Sequence, residues 1–246
     1  MVRAETAHGV ARIALDRPEK KNAFTAEMYR QLGDALAAAE AAGEVRAVLL
    51  HGTRECFSAG NDVGDFLKPR PAGESPAAPL FRTLPVMRKP VVAAVAGPAI
   101  GIGCTLLLHC DLVYAAPNAR FQLPFVPLGI VPEFGSTLLL PLLAGYQRAA
   151  ELLLLGEPFT AEQAREAGIV NAVVPVAEVL ELAERKAHAL AALPPESIRL
   201  TKALLKATQR GALEARIAEE SRIFAERLAS PEAKRAMSAF LEKRKG

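Results

Sequence analysis

One stretch constrains this chain more than any other. Residues Pro90 to Asp111 read P-V-V-A-A-V-A-G-P-A-I-G-I-G-C-T-L-L-L-H-C-D. The apolar run Val91 to Val95 follows a proline and predicts a strand buried on both faces. Gly97, Gly101 and Gly103 then permit a turn that a side chain would obstruct. Cys104 to His109 resumes as a short apolar helix. A strand, a glycine turn and a helix N-terminus leave several amides unpaired and pointing one way. Such a turn can bind an anion or stabilise a developing negative charge. A tight strand-to-helix turn without a ligand is the plainer alternative, and this stretch alone does not choose between the two.

A second stretch bears on that choice. Phe57-Ser58-Ala59-Gly60-Asn61-Asp62-Val63 follows another apolar strand, Val45 to Leu50, and offers a further bend with free amides. Neither glycine run fits a nucleotide motif. No G-K-S/T follows, and the G-x-G-x-x-G spacing fails at Leu106. Two glycine-bearing loops after buried strands, without a phosphate signature, suggest an oxyanion site assembled from separate loops.

Three segments then make the pattern specific. F-S-A-G-N-D-V, A-G-P-A-I-G-I-G-C and, from Pro127, P-L-G-I-V-P-E-F-G-S-T resemble the crotonase superfamily of enoyl-CoA hydratases and isomerases. They occur in that family's order and spacing, and the likeness runs from about Val10 to the C-terminus. The resemblance implies an α/β fold, a spiral of repeated ββα units with a C-terminal helical region. Residues 1–195 would form the core with the acyl-CoA site, and 196–246 the helical oligomerisation region. The implied ligand is an acyl-CoA thioester, so coenzyme A arrives as part of the substrate and no cofactor or metal is permanently bound. Homotrimers or dimers of trimers are implied as well.

Composition agrees. A chain of 246 residues, 51% hydrophobic, can bury one large core. The net charge of +3 is too small to argue for nucleic acid, but it favours an anionic ligand wherever basic residues cluster. Cys56, Cys104 and Cys110 sit in or beside apolar segments and read as reduced thiols of a cytoplasmic protein. No signal peptide, membrane span or metal-ligand spacing is evident.

In chain order, Val2 to Asp16 predicts a hairpin turning at His8-Gly9, followed by a polar turn from Arg17 to Asn22. Thr25 caps a helix to about Ala42, with Gly43 as its stop. Lys68 to Pro79 reads as a loop. Leu80 to Lys89 predicts a helix broken near Pro85. Strands are expected at Leu112–Ala115, Ala119–Leu123 and Ile169–Val174. Pro132 and Glu133 are expected to open a helix through Leu143. A further helix runs from Gly145 to Leu155, and Thr160 with Gln163 forms a capping box for the next. From Val176 onward the pattern is helical, broken at Pro194-Pro195 and Ser230-Pro231.

By resemblance, the backbone amides of Asn61 and Ile102 are the oxyanion donors. Ser58, Gly60 and Asp62 in the first loop, and Gly101 in the second, border the substrate. Lys20 and Lys21 would meet coenzyme A phosphate, although a solvated lysine pair is an equal account. Phe66, with Leu67, Phe81 and Met87, would line an apolar channel, or simply belong to the core. The family's hydratases place glutamates at positions held here by Thr105 and Phe125. Neither side chain can act as an acid or base near neutral pH. One carboxylate remains, Glu133 in I-V-P-E-F-G, a context similar to Δ3,Δ2-enoyl-CoA isomerases in which a single glutamate moves a proton. Walls including Phe125 and Phe134 would disfavour its charged form and strengthen it as a base. The alternative for Glu133 is a first-turn glutamate set by the helix dipole. Other enolate chemistry of a hydratase-like enzyme, and a non-catalytic acyl-CoA binder, stay open beside the isomerase.

Overall fold

The buried apolar runs pair into two sheets in a computed structural model, which describes residues 1–62, 64 and 75–243. Strands β1 (Val2–Ala7) and β2 (Val10–Leu15) form the expected hairpin, with His8 and Gly9 both at positive φ in the turn. Helix α1 (Ala26–Ala41) follows, then β3 (Ala47–His51), helix α2 (Ala78–Thr83), β4 (Val91–Val95), β5 (Pro98–Ile100) and the short helix α3 (Ile102–Thr105). Next come β6 (Leu112–Ala115), β7 (Arg120–Gln122), α4 (Ser136–Ala144), α5 (Tyr146–Leu155), β8 (Phe159–Thr160), α6 (Ala161–Glu166) and β9 (Ala172–Val173). The chain continues through α7 (Val179–Ala192), α8 (Pro195–Ala207), α9 (Arg210–Ala229) and α10 (Pro231–Lys243).

The larger sheet has the order β1-β2-β3-β4-β6-β9, parallel from β2 onward. The smaller has the order β5-β7-β8. The central strands are apolar on both faces because both faces are covered. Val48, Leu50, Val91, Ala93 and Val95 point into the main core with α1, α2 and the smaller sheet. Ala47, Leu49, Val92 and Ala94 point the other way, onto Val179, Ala183 and Ala187 of α7. That i, i+4 row of small residues lets α7 lie flat on the sheet.

Several boundaries differ from the sequence reading, each for a physical reason. Thr25 does cap α1, its hydroxyl accepting from the Met28 amide at 3.2 Å. Gly43, however, supplies no left-handed stop. Ala42 is extended, and the Lys89 ammonium instead donates to the Ala39 and Ala42 carbonyls at 2.7 and 2.6 Å. The helix expected over Cys104–His109 begins earlier as α3 and tightens into a 3-10 turn over Leu106–His109. The last strand shrinks to Ala172–Val173. The helix expected from Pro132 starts only at Ser136, because Phe134 and Gly135 are both left-handed, with φ of 61° and 73°. The predicted loop Lys68 to Pro79 lies largely outside the described residues, while the helix after it breaks near Pro85 as expected.

The C-terminal helices are partly fastened to the same chain. Ala233 and Met237 of α10 are buried, and Ile217, Phe224 and Leu228 of α9 pack against the main core. Leu204 and Leu205 of α8, by contrast, are each 76% exposed. The anchor of α8 is polar. Lys202, buried, donates to the Lys89 carbonyl at 2.7 Å and to Asp111 Oδ2 at 2.6 Å. The same Asp111 oxygen accepts from the Val91 amide at 2.7 Å. Removing one partner of a buried pair strands the other in low dielectric. Lys202→Met is therefore expected to cost about 3 kcal/mol of unfolding free energy in urea titration. A loss below about 0.5 kcal/mol, the range of an ordinary surface change, would deny the pair this role.

Candidate active site

The site begins where the smaller sheet meets the segment after β3. Ser58 N–H donates to Pro98 O at 2.8 Å, and Ile100 N–H donates to Ser58 O at 2.9 Å. This lays the first glycine loop along β5. Contact is so close that a Cβ on Gly60 would sit 2.7 Å from Ile100 O, and one on Gly103 would sit 2.9 Å from Ser58 Cβ. Gly101 adopts φ 54°, ψ −119°, a conformation that effectively only glycine holds, and from it α3 starts. The two loops therefore reach the same place. The amides of Asn61 and Ile102, one on each, donate to no acceptor among the described residues.

The side chains around the first loop hold its shape. Ser58, buried, donates its hydroxyl to Asn22 O at 2.9 Å and accepts from the Gly60 amide at 3.1 Å. Asp62 accepts from Arg17 at 3.2 Å, and Arg17 also donates to Ala23 O at 2.9 Å. Tyr29 donates to Asn61 Oδ1 at 2.6 Å, fixing a residue whose amide has no acceptor among the described residues. Asn22, buried and left-handed, accepts from the Arg17 amide and donates to the Cys56 and Phe57 carbonyls. Arg17, Asn22 and Tyr29 went unmarked in the sequence. Asn22 closes the polar turn that begins at Arg17, and nothing in that run of polar residues singled it out. Lys20 and Lys21 are exposed, and the Lys21 carbonyl accepts from Ala59, so the pair stands beside this loop. Phe66 and Leu67 lie outside the described residues.

Glu133 is buried, 5% exposed, in the turn between Ile130 and α4. It precedes the helix by three residues, so the helix-dipole account of a first-turn glutamate does not hold. Left-handed Phe134 sends its ring between two others. It stacks on Phe81 at 4.1 Å between centroids and lies 4.0 Å from the His109 ring. His109 Nε2 lies 2.8 Å from Phe134 O, and a neutral imidazole carrying its proton there donates to that carbonyl. The helical run that starts at Ile102 thus ends on the residue next to Glu133. Phe125 is buried, its carbonyl accepting from Ile130 at 3.0 Å, so it shapes the turn that leads to Glu133. Thr105 is fully buried on α3, and its hydroxyl has no hydrogen-bond partner among the described residues.

Thiolate chemistry is disfavoured here. Burial pushes Cys104 and Cys110 up to about 12 and Cys56 up to about 11, so all three stay protonated at neutral pH. Two surface clefts, of about 260 and 440 Å³, lie away from the paired loops. In the larger, Arg88 pairs with Glu40 and Arg199 with Glu196, while Arg46 and Lys89 line it as well, so its basic rim is only partly neutralised. No helix among the described residues is long and apolar enough to cross a membrane.

Two glycine-bearing loops brought together on an α/β core, with a buried carboxylate on the segment held by His109, are the arrangement that a crotonase resemblance implies. The chain matches the family model described as "Enoyl-CoA hydratase/isomerase" over residues 5–246, and it belongs to that family. It is 37% identical to the 1,2-epoxyphenylacetyl-CoA isomerase of Escherichia coli, over 96% of this chain and 93% of that protein. It is 36% identical to the 2,3-dehydroadipyl-CoA hydratase of the same organism, over 94% and 92%. Among solved structures, OdaA of Pseudomonas aeruginosa superposes with a TM-score of 0.94 at 48% identity, covering 97% of this chain and 98% of that one.

The buried histidine gives a pH test. Burial lowers His109 from 6.5 to about 3 despite its bond to Phe134 O. Its folded value is depressed, so the unfolded chain takes up a proton that the folded chain refuses. The stabilisation is complete above pH 6.5 and is lost as pH falls towards 3. The expected slope is about 1.4 kcal/mol per pH unit. His109→Gln, which keeps an N–H donor, should flatten urea-derived stability against pH by one proton in that window. An unchanged slope would show that His109 does not titrate this way.

Proposed function

We propose that the protein moves the double bond of a 3-enoyl-CoA to the 2-position through a thioester enolate, with Glu133 as the single base. What supports this reading is a buried carboxylate, Glu133, on the segment that the helical run from Ile102 holds through His109 and Phe134, while the two hydratase positions carry Thr105 and Phe125. Glu133 takes the proton from C2, and the electrons move onto the thioester oxygen. The amides of Asn61 and Ile102 hydrogen-bond that oxygen as its charge grows. Glu133 then returns the proton at C4 while the double bond forms between C2 and C3. One group suffices because it both removes and delivers the proton. The backbone of Gly60 and Gly101 borders the thioester, and Ser58 and Asp62 act by holding the loop. Lys20 and Lys21, exposed at its edge, suit the coenzyme A phosphates.

A second reading is hydratase-like enolate chemistry, favoured by the relative named 2,3-dehydroadipyl-CoA hydratase. A panel of thioesters separates the two. Turnover of a 3-enoyl-CoA is expected to exceed hydration of a short 2-enoyl-CoA by far. Glu133→Gln should retain thioester binding while isomerase turnover falls about 10²- to 10⁴-fold. Turnover within a few-fold of wild type would remove Glu133 from the mechanism.

We also propose that the helices of 196–246 help join subunits into a homotrimer or a dimer of trimers. Leu200, Leu204 and Leu205 form an exposed apolar row on α8, of the kind a second chain covers. Light scattering at micromolar concentration should give a multiple of three times the 26.2 kDa chain. A mass near one chain would sink the idea.

A further inference from the structure

A carboxylate far along the chain grips the segment that carries Glu133. Glu220, in the middle of α9, is 4% exposed. Its Oε2 accepts from the Gly135 amide at 2.5 Å. Its Oε1 accepts from the Thr137 amide at 3.0 Å and from the Thr137 hydroxyl at 2.5 Å. Arg216, one turn earlier, donates to that same hydroxyl at 3.0 Å. These bonds cap α4 from outside and fix Gly135 in its left-handed turn. On the other side of the segment, His109 holds the Phe134 carbonyl. Residues 134 and 135 are thus clamped between the helical run after Ile102 and a helix of the C-terminal region.

We propose that Glu220 is a positioning residue for the reaction, setting the backbone of residues 133–135 and hence where the Glu133 carboxylate meets substrate. The inference rests on Glu133 being the base. Burying a carboxylate is unfavourable in itself, and desolvation raises the pKa of Glu220 against the pull of its Thr137 and Gly135 bonds. A cap needed only for stability could sit on an exposed end of α4. Here it is sunk against the turn behind the base, where an error of about 1 Å can cost about 100-fold in rate.

The test uses the full-length protein and an isomerisation assay, with Glu220→Ala, Glu220→Gln and Thr137→Val beside Glu133→Gln. Glu220→Gln keeps the volume and one acceptor oxygen, so it remains informative if Glu220→Ala folds poorly. In both Glu220 variants kcat should fall about 10- to 100-fold per folded enzyme, with Glu220→Gln the milder. KM and binding of a saturated acyl-CoA should stay within about threefold. Thr137→Val, which removes one bond of the clamp and spares both carboxylate–amide bonds, should lose less kcat than either Glu220 variant. A lowered melting temperature with unchanged kcat in both Glu220 variants would overturn the positioning role and leave the base assignment standing. A Glu133→Gln enzyme that keeps its kcat would overturn the base assignment instead, whatever the Glu220 variants do.

Discussion

Everything in this site depends on one main-chain contact, the laying of the Ser58 backbone along β5 through bonds to Pro98 and from Ile100. These bonds join the ends of two different strand–loop units, and they are short-range and directional. Without them the Asn61 and Ile102 amides would belong to separate loops with no reason to face a common atom. Once the contact is made, steric exclusion does the rest, since Gly60 and Gly103 leave no room for a Cβ. The outer ring of Arg17, Asn22, Tyr29 and Asp62 then spends its polar groups on the loop. An oxyanion site works only if its donors need not reorganise when charge appears, and this arrangement removes the freedom to reorganise.

Much of the architecture was legible because it follows from local rules. Apolar runs bounded by glycine and proline marked β3 and β4, and Thr25, Thr160 and Ser230 announced helix starts that the structure has. What escaped was non-local. The stop of α1 depends on Lys89 reaching back to Ala39, and the anchor of α8 on Lys202 meeting Asp111. Neither partner lies within a window that periodicity can inspect. The start of α4 was misplaced for a related reason. Pro132-Glu133 resembles a helix opening, but Phe134 is drawn into a left-handed conformation by its ring contacts with Phe81 and His109. Tertiary packing outweighed local preference there, at the residue beside the carboxylate of interest. Such departures from local rules concentrate where function requires a backbone that sequence alone would not choose.

The C-terminal helices illustrate a division of labour. Their charged residues suggest solvent, yet Lys202 and Glu220 are buried, each held by main-chain and side-chain groups of the core. Buried charges attach a helix with specificity that apolar burial lacks, since a shift of one turn would leave each of them unpaired. The leucines left outside on α8 have no such registration.

In the proposed mechanism the oxyanion donors are amides, so no side chain at 61 or 102 encodes the part of the site that stabilises charge. Substitutions at 105, 125 or 133 can therefore exchange the acid–base equipment without disturbing that part. The glycines that shape the frame leave no room for a Cβ, so a substitution at Gly60 or Gly103 would push the two loops apart whatever the chemistry. On the proposed mechanism, the side chains at 105, 125 and 133 select the reaction, and the backbone around Gly60 and Gly103 makes any enolate reaction feasible.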